Sequence, residues 1–394
     1  MKLDSGSEVD EFRAEFAAFL DAHLPTPDEA HPASRSSADV PAWARRWQRT
    51  LFDAGWLLPG EPPEYGGRNA TLPQQLAHLE ELSRRRIYHS FNPQGIGIIA
   101  ASILTFGTEE QKQRWAIPLL RTEITAALGM SEPGAGSDLA GLRTRAVLDD
   151  GGTARSSGAE SGGHFVVNGQ KVWTSGAHDA DVLLTFVRTD PAAPKHQGIS
   201  VLLIPTGTEG VVRRPFASMA ARDDLDFNEV FFTDVRVPRE NLVGPLNKGW
   251  SVAHGSLGHE RTMLWLSFAE RLDDLIRDAP SDEEWYATLL MDAQALRLLG
   301  YRQLGGDHDP AELSVLKLLG SEAIQVASLN ALEDRGPEGL VHPEVTGPPN
   351  HMSIDNFISS WFERYARSFA GTIAGGTSEI QRNIIAERIL GLPR

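Results

Sequence analysis

The hydrophobic period of this chain changes twice, and that change limits the folds open to it. Over the first ~120 residues apolar side chains recur at helical spacing. Val9, Phe12, Phe16, Phe19 and Leu20 mark a helix over 8–24, Trp43, Trp47 and Leu51 one over 41–56, and Leu76, Leu79 and Leu82 one over 73–91. A further helix is expected over 94–106. Another starts at Thr108, where Gln111 three residues on fits a capping box. The stretch 24–41, rich in Pro, Ser, Ala and Asp, reads as a loop. After Asp138 the runs become short and β-rich: DVLLTFV, GISVLLIP and NEVFFTDVRVP, broken by Gly, Pro and Asp. HFVVNGQKVWTSG carries Asn168-Gly169, which predicts a hairpin because the tight turn needs positive φ. From Asn247 the helical period returns, with helices expected near 250–277, 283–304, 310–334, 353–370 and 377–390 and a Pro- and Gly-rich loop over 334–350. The layout is that of an α+β protein with a helical domain over 1–125, a β domain over 126–242 and a second helical domain over 243–394.

Composition narrows the function. A net charge of −16 argues against nucleic acid, whose binders usually carry a basic patch. With no cysteine, disulfides, thiolate metal sites and thiol nucleophiles are excluded. The twelve histidines, among them His254, His259, His342 and His351, show no HExxH or paired spacing, so no metal site is expected. No apolar run approaches the length of a membrane span, and MKLDSGSEVDEF lacks the apolar core of a signal peptide. The cytoplasm is the expected location. Residues 149–163 form a polar tip with no hint of chemistry.

The candidate binding stretch is Ala127–Thr144, ALGMSEPGAGSDLAGLRT. Its glycines let backbone approach a ligand closely, free N–H groups in such a turn form a nest for anions, and Ser131 and Ser137 add hydroxyl donors. The same composition occurs in plain surface loops. Roughly thirty residues later comes Trp173-Thr174-Ser175. The residues alone leave two readings of Trp173 open, a core side chain or a flat surface for a flavin ring with a hydroxyl beside it.

SEPGAGSD, then NGQK and WTS, then NEVFFTDVRVP and the terminal IAGGTSEIQRNIIAERILGLPR, with helical layers on either side, resemble the acyl-CoA dehydrogenase family of flavoproteins over nearly the whole chain. The resemblance implies an N-terminal helical domain, a middle β-barrel-like domain and a C-terminal four-helix bundle. It implies FAD, bound around Leu128, Met130 and Ser131, with Ser137 between FAD and the acyl-CoA. Trp173 and Ser175 would pack on the isoalloxazine, and Thr377 and Glu379 would approach the diphosphate and adenosine. Independently, Thr377 or Ser378 is a credible N-cap, and a helix N-terminus favours phosphate; a purely structural cap is compatible with both.

Many members carry a glutamate base just before the Gly-Thr of the terminal signature; here that position is Gly375. A minority, including the isovaleryl and long-chain enzymes, place it on the first long helix after the β domain, which here reads GWSVAHGSLGHERTMLWLSF and puts Glu260 at the matching position. By helical spacing Leu257 and Leu264 share its face, and burial among them would raise its pKa, as suits a general base. The residues alone also allow an exposed Glu260 paired with Arg261 or His259. Arg261 would contact the CoA side or make a structural ion pair, and the Gly375-Gly376 backbone would face the substrate carbonyl. Arg84-Arg85-Arg86 is either a solvated helix end or a contact for CoA phosphate.

The implied reaction is FAD-dependent α,β-dehydrogenation of an acyl thioester, acyl-CoA or carrier-bound, with an electron-transfer flavoprotein as acceptor. The chain departs from most homotetrameric members in lacking an Arg-x-x-Phe-Gly motif, since that region reads ERLDDLIRDAPSDEEW. GPEGLVHPEVTGPPN likewise replaces a Gln-Ile-x-Gly-Gly-x-Gly segment. A subclass acting on sterol side chains and other bulky acyl groups shares such losses and assembles from two different subunits, so a homo- or hetero-oligomer, a dimer of dimers, is expected. Two other activities fit the fold: a flavin monooxygenase, or a non-catalytic partner subunit.

Overall fold

A computed structural model describes residues 6–30, 33–87, 90–149, 163–219, 225–279, 283–303, 310–342 and 360–393, with backbone alone over 254–264 and at 310. The helical period of the N-terminal part forms α1 (Ser7–His23), α2 (Ala42–Asp53) and α3 (Leu72–Arg84). A π-helical turn, Gly95–Ala100, leads into α4 (Ala101–Phe106). The helix expected from Thr108 begins as α5 (Glu109–Gln111), passes through a second π turn at Lys112–Ala116 and ends as α6 (Ile117–Leu120). α1 buries Val9, Phe12, Phe16 and Leu20, with Phe16 tilted against Trp56 at 4.8 Å and against His78 at 4.2 Å.

The arginine run is engaged structurally. Arg84 and Arg85 both pair with the buried Glu81, each at 2.6 Å, and Arg85 also reaches Asp21 on α1. The hydrogen bond from Arg84 does most to hold the Glu81 carboxyl below its usual range. Arg86 pairs with Asp274 at 2.8 Å, tying the N-terminal layer to the first long C-terminal helix. These arginines are therefore neither bare nor grouped for a phosphate.

The sheet comprises β1 (Ala126–Gly129), β2 (Arg145–Asp149), β3 (His164–Lys171), β4 (Val182–Arg188), β5 (Ile199–Pro205), β6 (Val211–Phe216), β7 (Phe227–Pro238) and β8 (Leu242–Val243). Its order is β6-β7-β3-β2-β4-β5-β8, and β1 pairs in parallel with β4. The unbroken apolar runs DVLLTFV and GISVLLIP have a simple cause. In β4 and β5 successive side chains point to opposite faces, and both faces are covered. Val182, Leu184 and Phe186, with Val201 and Leu203, join the core of the N-terminal helices. Leu183, Val187, Leu202 and Ile204 pack into the interior of the β domain with Phe165, Val167 and Val235.

One turn expectation is corrected. Asn168-Gly169 is not a hairpin tip but lies within β3, at a register shift against β7. Asn168 and Asp234 exchange two hydrogen bonds there, Asp234 at φ +49, so the positive φ falls on the partner strand as well. Glycine is required at 169 because a Cβ would stand 2.6 Å from the Thr144 backbone.

The C-terminal part holds α7 (Gly249–Asp278), α8 (Glu284–Gln303), α9 (Leu313–Arg335), α10 (Trp361–Ile373) and α11 (Ser378–Ile384), the last continued by a π turn to Ile389. Trp265, Phe268 and Leu272 of α7 meet Leu296 of α8, Leu316 and Ile324 of α9 and Trp361 of α10 in one core. Much of the expected 353–370 helix and of the 334–350 loop falls outside the described residues, as do 150–162 of the polar tip.

The capping box at Thr108 does more than start a helix. Gln111 Oε1 accepts from the Thr108 N–H at 3.1 Å, while its Nε2 donates to the carbonyls of Glu240 and Leu242 at 2.7 and 2.8 Å. One buried amide thus joins the helical layer to the end of the sheet. Gln111→Leu leaves those three backbone groups unpaired, and urea denaturation should show a loss of about 1–3 kcal/mol.

Candidate functional site

β1 carries the signature stretch out of the sheet. After Gly129 the chain turns at Glu132–Ala135, closed by reciprocal backbone bonds of 2.9 and 3.0 Å. Glu132 is the turn's anchor. Its carboxylate accepts the backbone N–H of Arg143 at 2.7 Å and of Thr144 at 2.8 Å, and pairs with Lys171 at 2.8 Å. Lys171 is fully buried at the end of β3 and also donates to the Met130 carbonyl at 3.0 Å. The next residue continues the seam, with the Val172 N–H bonded to the Ser131 carbonyl at 2.9 Å. Two hydrogen bonds from Lys171 and one backbone bond from Val172 therefore weld residues 130–132 to QKVW, and the two N–H bonds from Arg143 and Thr144 tie the same turn to the start of β2.

Burial opposes ionisation of Glu132, but Lys171 and the two N–H groups outweigh it and hold the carboxyl below its usual range. Burial pulls the Lys171 ammonium down to about 8 against the attraction of Glu132. Glu132 lies in SEPGAGSD and Lys171 in NGQK, and nothing in their spacing along the chain marks them as a pair. The available signal was two opposite charges in otherwise apolar surroundings.

The weld presents Trp173. This tryptophan is not a core residue: it is 58% exposed, at φ +61, which is uncommon for a bulky side chain. Its edge contacts are T-shaped, with Phe216 at 5.2 Å and Phe227 at 5.4 Å. Asn228 bonds the Thr174 carbonyl at 3.1 Å and accepts the Thr174 N–H on its own carbonyl at 3.2 Å, holding the strained turn. Leu128, Met130, Ser131 and Ser175 are half-buried, and Ser137 is exposed. Of the candidates, Met130 and Ser131 are bonded across the seam, which ends one residue before Trp173. A depression of about 280 Å³ borders the turn, lined by Pro133, Gly134, Arg143 and Gln170, but none of the candidate residues lines it.

Thr377 and Glu379 belong to a different element. Thr377 caps α11 by accepting the Ile380 N–H at 3.3 Å, and α11 packs on α9. Gly375 and Gly376 precede it at φ +69 and +101, and the Gln381 amide donates to both carbonyls. Among the described residues no hydrogen bond joins this turn to Trp173 or to the Glu132 turn. Glu260 and Arg261 lie on α7, as expected, within the stretch whose side chains lie outside the described residues; so do His254 and His259. His351 is outside them altogether, and His342 pairs with Glu363 at 3.1 Å. Among the described residues no cluster of His, Asp and Glu could hold a metal, and no helix is long and apolar enough to cross a membrane.

The π turn Gly95–Ala100 adjoins β1 without a sequence motif to mark it. It packs on β1 and on α7, and Gln94 just before it accepts the Leu128 N–H at 3.3 Å. Such turns recur at functional sites, and periodicity alone does not distinguish them from α-helix.

Three family models match in succession: the acyl-CoA dehydrogenase N-terminal domain over 6–123, its middle domain over 127–235 and its C-terminal domain over 247–390. Acyl-CoA dehydrogenase IpdE1 of Mycolicibacterium smegmatis is 34% identical, with 98% of each chain covered. Acyl-CoA dehydrogenase FadE26 of Mycobacterium tuberculosis is 32% identical over 100% of this chain and 99% of its own. Among solved structures, the Tcur3481-Tcur3483 steroid ACAD superposes with a TM-score of 0.77 at 28% identity, and the ChsE4-ChsE5 complex from Mycobacterium tuberculosis with 0.75 at 29%, each over 100% of both chains.

Lys171→Met leaves the Glu132 carboxylate buried without its cation, and chemical denaturation should show a loss of about 3–5 kcal/mol. Because Glu132 titrates below its ordinary 4.5 in the folded state, its contribution is complete above that value and is lost as pH falls through the folded pKa. Urea midpoints measured from pH 7 down to pH 3 should therefore fall more steeply in the wild type than in Glu132→Gln.

Proposed function

The chain belongs to the acyl-CoA dehydrogenase family, flavoprotein oxidoreductases acting on acyl thioesters, and we propose that it performs FAD-dependent α,β-dehydrogenation with Glu260 as the base. The observation that carries the choice of base is the turn before α11. The position where many members hold their glutamate is Gly375, at φ +69, a conformation suited to glycine rather than to a side chain. The carboxylate on α7 takes over that task. The contact of α7 with the Gly95–Ala100 turn, itself packed on β1, supports this by bringing the helix alongside the signature stretch.

The residues present fit a flavin. Trp173 offers an exposed aromatic face held rigidly by two phenylalanines, and the seam fixes Met130 and Ser131 beside it. In the proposed site Leu128, Met130, Ser131, Trp173 and Ser175 bind the ring, Ser137 lies between ring and acyl chain, and Thr377 and Glu379 approach the diphosphate and adenosine. FAD, when bound, supplies the acceptor for the β hydrogen. Glu260 takes the α proton as general base. The Gly375–Gly376 backbone donates a hydrogen bond to the thioester oxygen as charge develops on it, and Arg261 meets the CoA portion. Rigid positioning of Trp173 keeps water off that side of the ring.

The substrate is proposed to be a bulky acyl thioester of steroid type, supported by the name of the Tcur3481-Tcur3483 steroid ACAD. Assembly with a second, different subunit is proposed on two grounds: the absence of Arg-x-x-Phe-Gly from ERLDDLIRDAPSDEEW and the two-component ChsE4-ChsE5 relative. An electron-transfer flavoprotein is the proposed acceptor.

Anaerobic mixing with thioesters, from short straight chains to steroid side-chain acyl groups, tests the reading by following flavin bleaching. Bleaching should be fastest with the steroid-type compounds. Glu260→Gln should slow it by about 10²–10⁴-fold while FAD stays bound; a variant that bleaches at the wild-type rate would remove Glu260 from the reaction.

A further inference from the structure

Lys317 lies on α9 and is only 5% exposed, yet its ammonium meets no hydrogen-bond partner. Ser378, the first residue of α11, is 6% exposed, and its hydroxyl is also unpartnered. α9 and α11 pack together, and the Lys317 ammonium is near enough to Glu322 and Glu379 for both carboxylates to act on it. Burial nevertheless dominates and pulls the Lys317 pKa down. A buried ammonium that makes no hydrogen bond is costly, and a ligand that accepts one from it relieves that cost.

The surrounding charge indicates the kind of ligand. Arg382 pairs with Glu322 at 2.6 Å and stands 3.7 Å from Glu379. Lys317 and Arg382 thus offset Glu322 and Glu379, whereas without Lys317 the turn would carry a net negative charge and repel an anion. Resting on the family reading above, we propose that Lys317, with Ser378, binds the diphosphate of FAD from within the same chain, in the role left open by the absent Arg-x-x-Phe-Gly. Lys317 and Ser378 lie on helices packed against each other, and each holds a buried donor with no hydrogen bond.

The test is equilibrium binding to apoprotein in its native assembly, with FAD, ADP and adenosine as probes, alongside thermal melting of the apoprotein. Lys317→Met should weaken FAD and ADP by about 10- to 100-fold, the range of a hydrogen bond to a charged group. Adenosine, which lacks phosphate, should bind both forms equally. The apoprotein Tm should hold or rise, because a buried ammonium that makes no hydrogen bond has been removed. Ser378→Ala should weaken ADP several-fold and carries the test if Lys317→Met does not fold. Equal ADP affinity in wild type and variants overturns the proposal, as does a fall in Tm with the ADP-to-adenosine ratio unchanged, which marks a structural lysine. A wild-type apoprotein that takes up no FAD overturns the proposed flavin chemistry too, so the two failures are distinguishable.

Discussion

The ion pair between Glu132 and Lys171 is the constraint on which the described site depends. It lies between two segments distant in sequence, and each charge is satisfied by backbone as well as by its partner. A buried pair of this kind contributes little net stability compared with apolar packing, but it is unforgiving of misalignment, because each displaced partner leaves a charge stranded. Its effect is therefore specificity of position. It sets where Met130 and Ser131 leave β1 and where β3 ends, and so where Trp173 must stand.

Strain and support are concentrated around that point. Trp173 occupies left-handed backbone space with most of its ring in the open, a combination that costs of order 1–3 kcal/mol and persists only when neighbours enforce it. Asn228 and the Phe216–Phe227 pair supply the enforcement from β6 and β7. The helical layers add a second level of control. Gln111 fastens the N-terminal helices to the sheet end, and Arg86 fastens them to α7. A helix bearing the proposed base is thus referenced, through a few polar contacts, to the strand bearing the proposed flavin contacts.

How much of this could be read from residues alone differs by element. α1 was legible because Phe12, Phe16 and Leu20 fall on one face, and the capping box at Thr108 was legible because its spacing is local. Asn168-Gly169 misled because the same dipeptide serves a tight turn and a strand irregularity; only the position of β7 decides between them. The arginine run was ambiguous until Asp21, Glu81 and Asp274 were seen around it. Lys317 was invisible, since a lysine within a helical run gives no sign of which side it faces.

The sequence by itself determined the order of elements, the alternation of helical and strand periods, and the motifs that mark the family, because these depend on spacing along the chain. Tertiary structure alone decided that Glu132 and Lys171 meet, that Trp173 is exposed rather than enclosed, and that Lys317 lies buried on α9, which packs on α11, without a hydrogen bond. Each of these turns on burial and on contacts between segments far apart in the chain. Local periodicity can say which way a side chain points from its own element, but not what another element brings to meet it.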